Sequence, residues 1–292
     1  MRAIGITRFG DPGVLHLVDL PDPDAGPGEL RIRVRAAAVN PTDTGLRSGG
    51  RAALLKDIPP PYVPGMDAAG ILDQIGAGVP AGLQVGDHVM AIVVPHGSRG
   101  AYSDFVVVPA ESVTRVPAGA TDAEAATLPM NGLTTRQALD LLGLAPGQVL
   151  AVTGAADASA QDVQLVKDLG ADIVLRRGAD FAGQVREVLP GGADGLIDAA
   201  LLSELAIPAV RDGGRIATVR GFRGEPERGI TFHPVSVRTY AREREKLDRL
   251  RQQAEAGQVT LRVATALPAE RAAEAHRLLE AGGTRGRLIL EF

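Results

Sequence analysis

The chain has no cysteine and no tryptophan, and aromatic residues make up only 3% of it. Without cysteine there are no disulfides and no thiolate metal sites, whether a structural zinc lobe or an iron–sulfur cluster. So few aromatic rings leave little on which nucleic-acid bases would stack. The 31 basic and 35 acidic residues are interspersed to a net charge of −4, which leaves no basic stripe, so nucleic acid is excluded as an expected partner. No apolar run approaches the length that spans a bilayer, and Met1-Arg2-Ala3-Ile4-Gly5-Ile6 enters strand-like sequence without a leader's apolar stretch, so the expectation is a cytoplasmic protein with no membrane partner.

What is present is a globular composition, 45% hydrophobic and 23% charged over 292 residues, long enough for two domains. Up to about residue 118 the texture is short strands punctuated by Asp11-Pro12-Gly13, Pro21-Asp22-Pro23, Gly26-Pro27-Gly28 and Pro59-Pro60-Pro61. Leu30, Ile32 and Val34 alternate with Arg31, Arg33 and Arg35, the period-two signature of a strand with one buried face. Val106 to Val108 is a second β-branched run, ended by Pro109.

From residue 119 helices alternate with short apolar strands, which predicts a parallel α/β sheet over 119–256, with 257–292 returning to the first domain. Thr121 with Glu124 forms a capping box, Thr134–Leu144 and Ser159–Leu169 read as helices, and Tyr240–Ala256 reads as a charged helix turning Leu247 and Leu250 inward. Expected strands are Val149–Val152, Ile173–Leu175, Gly195–Ala199, Gly214–Val219 and a terminal one at Gly286–Phe292. Gly65, Gly70, Gly76 and Gly86 are read as turn or close-approach positions, and Asp67 and Asp87 as turn-forming acids.

Gly65-Met66-Asp67-Ala68-Ala69-Gly70-Ile71, then Gly76, Gly78-Val79 and Gly86-Asp87-His88-Val89, resembles the GxDxxGxV…G…GDxV signature of the medium-chain dehydrogenase/reductase superfamily. Asn40-Pro41-Thr42-Asp43-Thr44 with Arg47-Ser48-Gly49, and Gly132-Leu133-Thr134-Thr135, resemble elements of its zinc-free quinone-oxidoreductase (zeta-crystallin-like) branch. The resemblance implies an α/β plus β fold: a GroES-like β-barrel domain that takes in the C-terminal strand, and a Rossmann-type doubly wound parallel sheet. It further implies NADPH as cofactor, a quinone or an α,β-unsaturated carbonyl as small-molecule substrate, and a homodimer.

By the same resemblance Asn40 and Asp43 are expected at the nicotinamide end and Tyr102 beside the substrate oxygen, as catalytic residues. Thr134, Gly154, Ala155, Ala156, Ser159, Val219, Arg220 and Gly221 are expected to line the cofactor. In the alcohol dehydrogenase branch a cysteine stands at the place of Asp43 and a histidine at that of Met66, so no metal is expected here. The five histidines have no ligand spacing and are read as structural. Arg220, Arg223, Arg285 and Arg287 are read as solvated, with anion contact as the alternative.

One part of the pattern is interrupted. Gly147 to Ala156 resembles the first nucleotide-binding strand and the opening of its loop, but Asp157 follows Ala156 where relatives continue with glycines, a helix and a second strand, roughly twenty residues in all. The expected sheet therefore lacks about one helix–strand unit. Asp157 and Asp162 stand where a pyrophosphate would meet like charge. Two readings follow: an NADPH-dependent reductase, or a cofactor-free pseudoenzyme, non-redox enzyme or ligand-binding protein on the same fold.

Overall fold

The computed structural model describes residues 1–154, 160–176, 178, 180–225 and 227–292, and the chain forms two compact units. The first comprises Met1–Leu133 with Ala241–Phe292, and the second Thr134–Tyr240.

The first unit holds β1 (Arg2–Gly5), β2 (His16–Asp19), β3 (Glu29–Ala38), helix α1 (Pro41–Arg47), β4 (Asp67–Ile75), β5 (His88–Ile92), β6 (Phe105–Pro109), β7 (Val113–Arg115) and the short helix α2 (Asp122–Ala125). Helix α3 (Pro129–Leu142) follows. Late in the chain the same unit gains α6 (Arg244–Glu255), β12 (Val263–Pro268), α7 (Ala272–Ala281) and β13 (Arg287–Glu291). Its main sheet runs β12-β13-β3-β4-β5-β7, with β6 also on β3, while β1 and β2 pair apart.

The period-two reading of β3 holds, since Leu30, Ile32 and Val34 are at most 2% exposed while Arg31 and Arg33 lie over the Phe105 ring and share Asp73. The C-terminal strand returns as expected: β13 is antiparallel to β3, with Ile289 opposite Ala38. At Thr121 the capping box closes in both directions, Thr121 N–H to Glu124 at 2.8 Å and Glu124 N–H to Thr121 Oγ1 at 3.2 Å. Helix α6 buries Leu247 and Leu250, and Asp248 accepts from Thr114 of β7 at 2.8 Å. That packing groups 241–256 with the first unit.

The second unit is a four-stranded parallel sheet, β8 (Leu150–Thr153), β9 (Ala193–Asp198), β10 (Val210–Thr218) and β11 (Thr231–Pro234), in the order β11-β10-β9-β8. Its helices include α4 (Ala160–Asp168), stopped at Gly170 where φ is 99°, and α5 (Phe181–Val188). The strand expected at Ile173–Leu175 is absent. Three apolar residues between Asp172 and Arg176 bury too little to hold one: Ile173 is 52% exposed, and Leu175 reaches the unit's core by its side chain alone. Among the described residues β9 is therefore the only strand beside β8, whose Val152 is 44% exposed. No helix of the described residues is long and apolar enough to cross a membrane.

The motif glycines serve the sheet. A Cβ on Gly70 would stand 2.1 Å from the Arg33 carbonyl oxygen and 2.9 Å from Arg35 N, where β3 and β4 pair, whereas Gly78 has φ of 77° and nothing within 4 Å. Gly70→Ala is expected to cost about 3 kcal/mol or more because backbone must move. Gly78→Ala should cost about 1–2 kcal/mol, the penalty of a left-handed residue alone. Equal losses in urea unfolding would show that close approach is not what Gly70 provides.

Candidate functional site

Asn40 stands two residues beyond the end of β3 and caps α1, Asp67 opens β4, and Arg287 opens β13, so three neighbouring strands bring them together. Asn40 is fully buried and its amide is saturated. The oxygen accepts from Arg287 Nη2, and the nitrogen donates to Asp67 Oδ2 at 2.8 Å and to the Ala38 carbonyl at 3.2 Å. Asp67 also accepts from the backbone N–H of Met130 at 2.6 Å and lies 3.6 Å from Arg287 Nη2. Arg287 donates its other terminal nitrogen to Asn131 Oδ1 at 2.9 Å.

Asp43 forms the second arm. Its Oδ2 accepts from Asn40 N–H at 2.8 Å, which with Asn40 makes a capping box on α1, and its Oδ1 accepts from Gly65 N–H at 3.0 Å. The Tyr102 hydroxyl stands 3.3 Å from Asp43 Oδ2 and 3.3 Å from His276 Nε2 on α7. Gly65 has φ of 107°, and a Cβ there would press on Tyr102, so only glycine lets this turn meet Asp43.

Two carboxylates and one guanidinium share this interior. Burial pushes the Asp43 carboxyl up to about 6, against the pull of the Asn40 and Gly65 N–H groups, with Asp67 adding to the rise. Burial likewise raises Asp67, although Arg287, Asn40 and Met130 pull it down. Burial and Arg47 lower His276 to about 3, so its ring is neutral in ordinary buffers.

The three residues expected to be catalytic are thus clustered, but Asn40, Asp43 and Tyr102 are each at most 1% exposed, and Tyr102 meets Asp43 and His276 rather than a surface. They form a layer beneath half-exposed Thr42 and Met130 and exposed Asn131. Asp67, read from sequence as a turn-forming acid, is a buried member of the network. Asp87 does hold its turn, accepting from Gln84 N–H at 2.9 Å. Arg287, read as solvated, has a side chain only 15% exposed because Asp67, Asn40 and Asn131 draw it in. His276 gave no local signal beyond being a histidine on an apolar helix face.

In the second unit Gly154 ends β8, and Val219, Arg220 and Gly221 follow β10 two strands away, so these expected cofactor residues share the carboxyl edge where doubly wound sheets bind ligands. Gly154, Arg220 and Gly221 are exposed, and Thr134 is half-buried on α3. Ala155, Ala156 and Ser159 lie outside the described residues. Asp198 closes the neighbouring turn, accepting from Thr153 Oγ1 at 2.8 Å and from the N–H groups of Leu202 and Ser203 at 3.0 and 2.8 Å. Leu201 and Ser203 are held there at φ of 61° and 54°. Among the described residues no strand stands beyond β8, where the strand that reads the adenosine half of a dinucleotide lies in a complete doubly wound sheet.

For zinc the donor set is wrong: both oxygens of Asp43 are committed to backbone N–H groups, and Met66 offers a buried thioether. Among the described residues no three His, Cys, Asp or Glu stand together as a ligand group.

Comparison with known proteins agrees with this architecture. Residues 26–118 match the alcohol dehydrogenase GroES-like domain, and residues 169–290 match the zinc-binding dehydrogenase family. The chain belongs to the medium-chain dehydrogenase/reductase superfamily, whose members bind NAD(P). It is similar to the 2-methylene-furan-3-one reductase of Solanum lycopersicum, 28% identical over 99% of this chain and 79% of that protein. That alignment runs over 320 residues, more than the 292 here, so the tomato protein has residues without a counterpart in this chain. The human synaptic vesicle membrane protein VAT-1 homolog-like is 31% identical over 68% of this chain, which spans only half of its length. A mycobacterial protein solved with NADPH superposes with a TM-score of 0.83 at 28% identity, covering all of both chains.

Arg287→Met tests the charge balance. Asp67 has a raised folded-state pKa, so it favours folding below the unfolded carboxylate pKa and opposes it as pH rises through the folded one. Losing Arg287 leaves a bare buried charge at neutral pH, an expected loss of about 3–5 kcal/mol that shrinks near pH 4. Denaturation at both pH values decides it, since an equal loss would mean that Arg287 acts by packing.

Proposed function

We propose that this chain is an NADPH-dependent oxidoreductase that reduces quinones or α,β-unsaturated carbonyls, working as a cytoplasmic homodimer without metal. The observation that carries the reading is the buried network joining Asn40, Asp67, Arg287, Asn131 and Asp43, because it fixes a polar floor under Thr42 and Met130 and commits both oxygens of Asp43 to backbone N–H groups. Bound NADPH would supply the hydride.

The chain's own residues do the rest. Arg287 and Asp67 lock the Asn40 amide, Asp43 locks the turn at Gly65, and Asn131 ties the start of α3 to the same guanidinium. Asn40 and Asp43 are therefore positioning residues. Since their groups are saturated, the quinol or enolate oxygen takes its proton from water, which suffices at a heteroatom. Gly154, Val219, Arg220 and Gly221 would meet the cofactor at the carboxyl edge of the parallel sheet.

A second reading, a cofactor-free ligand-binding protein, is favoured by one observation: among the described residues β8 has a strand on one side only, where a doubly wound sheet has strands on both. Titration of NADPH fluorescence separates the two. The reductase reading expects saturable binding at micromolar NADPH and consumption of it with a quinone or an alkenal, insensitive to chelators. Asn40→Ala should lower kcat/KM at least about tenfold, which corresponds to about 1.4 kcal/mol. No binding at millimolar NADPH would overturn it in favour of the second.

A further inference from the structure

The line Asp43–Tyr102–His276 leads from the polar floor into the core of the first unit, and its proton count is constrained. Tyr102 has one hydrogen and two neighbours, each 3.3 Å away. His276 is fully buried, and its Nδ1 has no hydrogen-bond partner among the described residues. Two arrangements tie the direction of the hydroxyl to the state of Asp43. In one, Asp43 is ionised, the tyrosine O–H donates to it, and His276 Nε2–H donates to the tyrosine oxygen, leaving Nδ1 bare. In the other, Asp43 is protonated and donates to the tyrosine oxygen, the tyrosine O–H donates to Nε2, and Nδ1 carries the hydrogen.

We propose that these three side chains form a proton line in which His276 changes tautomer as Asp43 gains or loses its proton. One proton from solvent joins Nδ1, the Nε2 proton passes to the tyrosine oxygen, and the tyrosine's own proton passes to Asp43. Two X–H bonds break and three form, and the net change is one proton taken up. His276 and Tyr102 are neutral at both ends, because the ring is lowered to about 3 and the phenol lies well above its usual range through burial and the nearby Asp43. The remaining charges facing the line are Asp67 on β4, Arg287 on β13, and Arg47 on α1, itself paired with Glu280 on α7.

The consequence is a change of one unit in the charge beneath Asn40. With Asp43 ionised, the interior holds two carboxylates against Arg287, and with Asp43 protonated, Asp67 and Arg287 balance. Resting on the reductase reading above, the protonated state is the one that favours turnover, since negative charge develops on the substrate oxygen. This makes Tyr102 and His276 positioning residues for that reaction.

Nitrogen-15 NMR of histidine-labelled full-length protein tests the line between about pH 4.5 and about pH 8, where the ring is neutral and its two tautomers have distinct shifts. The His276 signal, identified by its loss in His276→Asn, is expected to pass from the Nδ1–H form to the Nε2–H form with a midpoint near 6, the value to which Asp43 is raised. Asp43→Asn, which cannot ionise, should hold a single tautomer at every pH, and Tyr102→Phe should abolish the transition. A single tautomer throughout in the native protein, or the same transition in Asp43→Asn, overturns the proposal. The NMR readout needs no turnover, so a lack of reductase activity would count against the reductase reading and not against the line.

Discussion

Asp43 and Asp67 are withdrawn from water in one interior, and among the described residues Arg287 is the guanidinium set directly against them. Carboxylates in such a place must be hydrogen-bonded, paired or protonated, and the unit uses all three solutions. Asp67 has the pair, Asp43 has two backbone N–H groups and a proton affinity raised by burial, and Asn40 spans the two with its amide. Much of the local chain path follows from this. The turn at Gly65 must aim an N–H at Asp43, the start of α3 must aim one at Asp67, and the terminal strand must lie beside β3 for Arg287 to arrive.

The arrangement also bears on zinc, with which the matched dehydrogenase family is associated. A zinc site needs ligands left free to bind the metal, whereas here the groups standing at the corresponding positions are turned inward and spent on the backbone. Asp43 has become a brace between α1 and the Gly65 turn, and Met66 is packed in the core. Chemistry on this floor relies on orientation and on the local field, because the Asn40 amide and both oxygens of Asp43 are held by neighbours.

Sequence periodicity revealed the strands that bury one face and the helices that begin with a box, as at Leu30–Val34 and Thr121–Glu124, because those signals are local. The roles of Asp67, Arg287 and His276 were not legible for the opposite reason. Asp67 meets a backbone N–H 63 positions away, and Arg287 reaches Asn40 across 247. Local context beside Asp67 suggests a turn, and local context at Arg287 suggests solvent, so both were misread. Ile173–Leu175 differs: the apolar run is genuine, but a parallel strand needs cover on both faces, and here Leu175 packs on the core while Ile173 is half exposed.

The parallel sheet raises a question that the floor does not. Its strands run β8, β9, β10, β11 in simple succession, so the reversal of order that creates a dinucleotide crevice is absent among the described residues. The carboxyl edge nevertheless keeps the exposed Gly154, Arg220 and Gly221, and it keeps Leu201 and Ser203 in a backbone conformation that costs on the order of 1 kcal/mol or more each. Asp198 compensates for that strain by accepting from two N–H groups and a hydroxyl. A turn held this way lies at the carboxyl edge of the sheet. Selectivity between phosphorylated and unphosphorylated adenosine would have to come from elsewhere, since the strand that carries that recognition in a complete crevice has no described counterpart here.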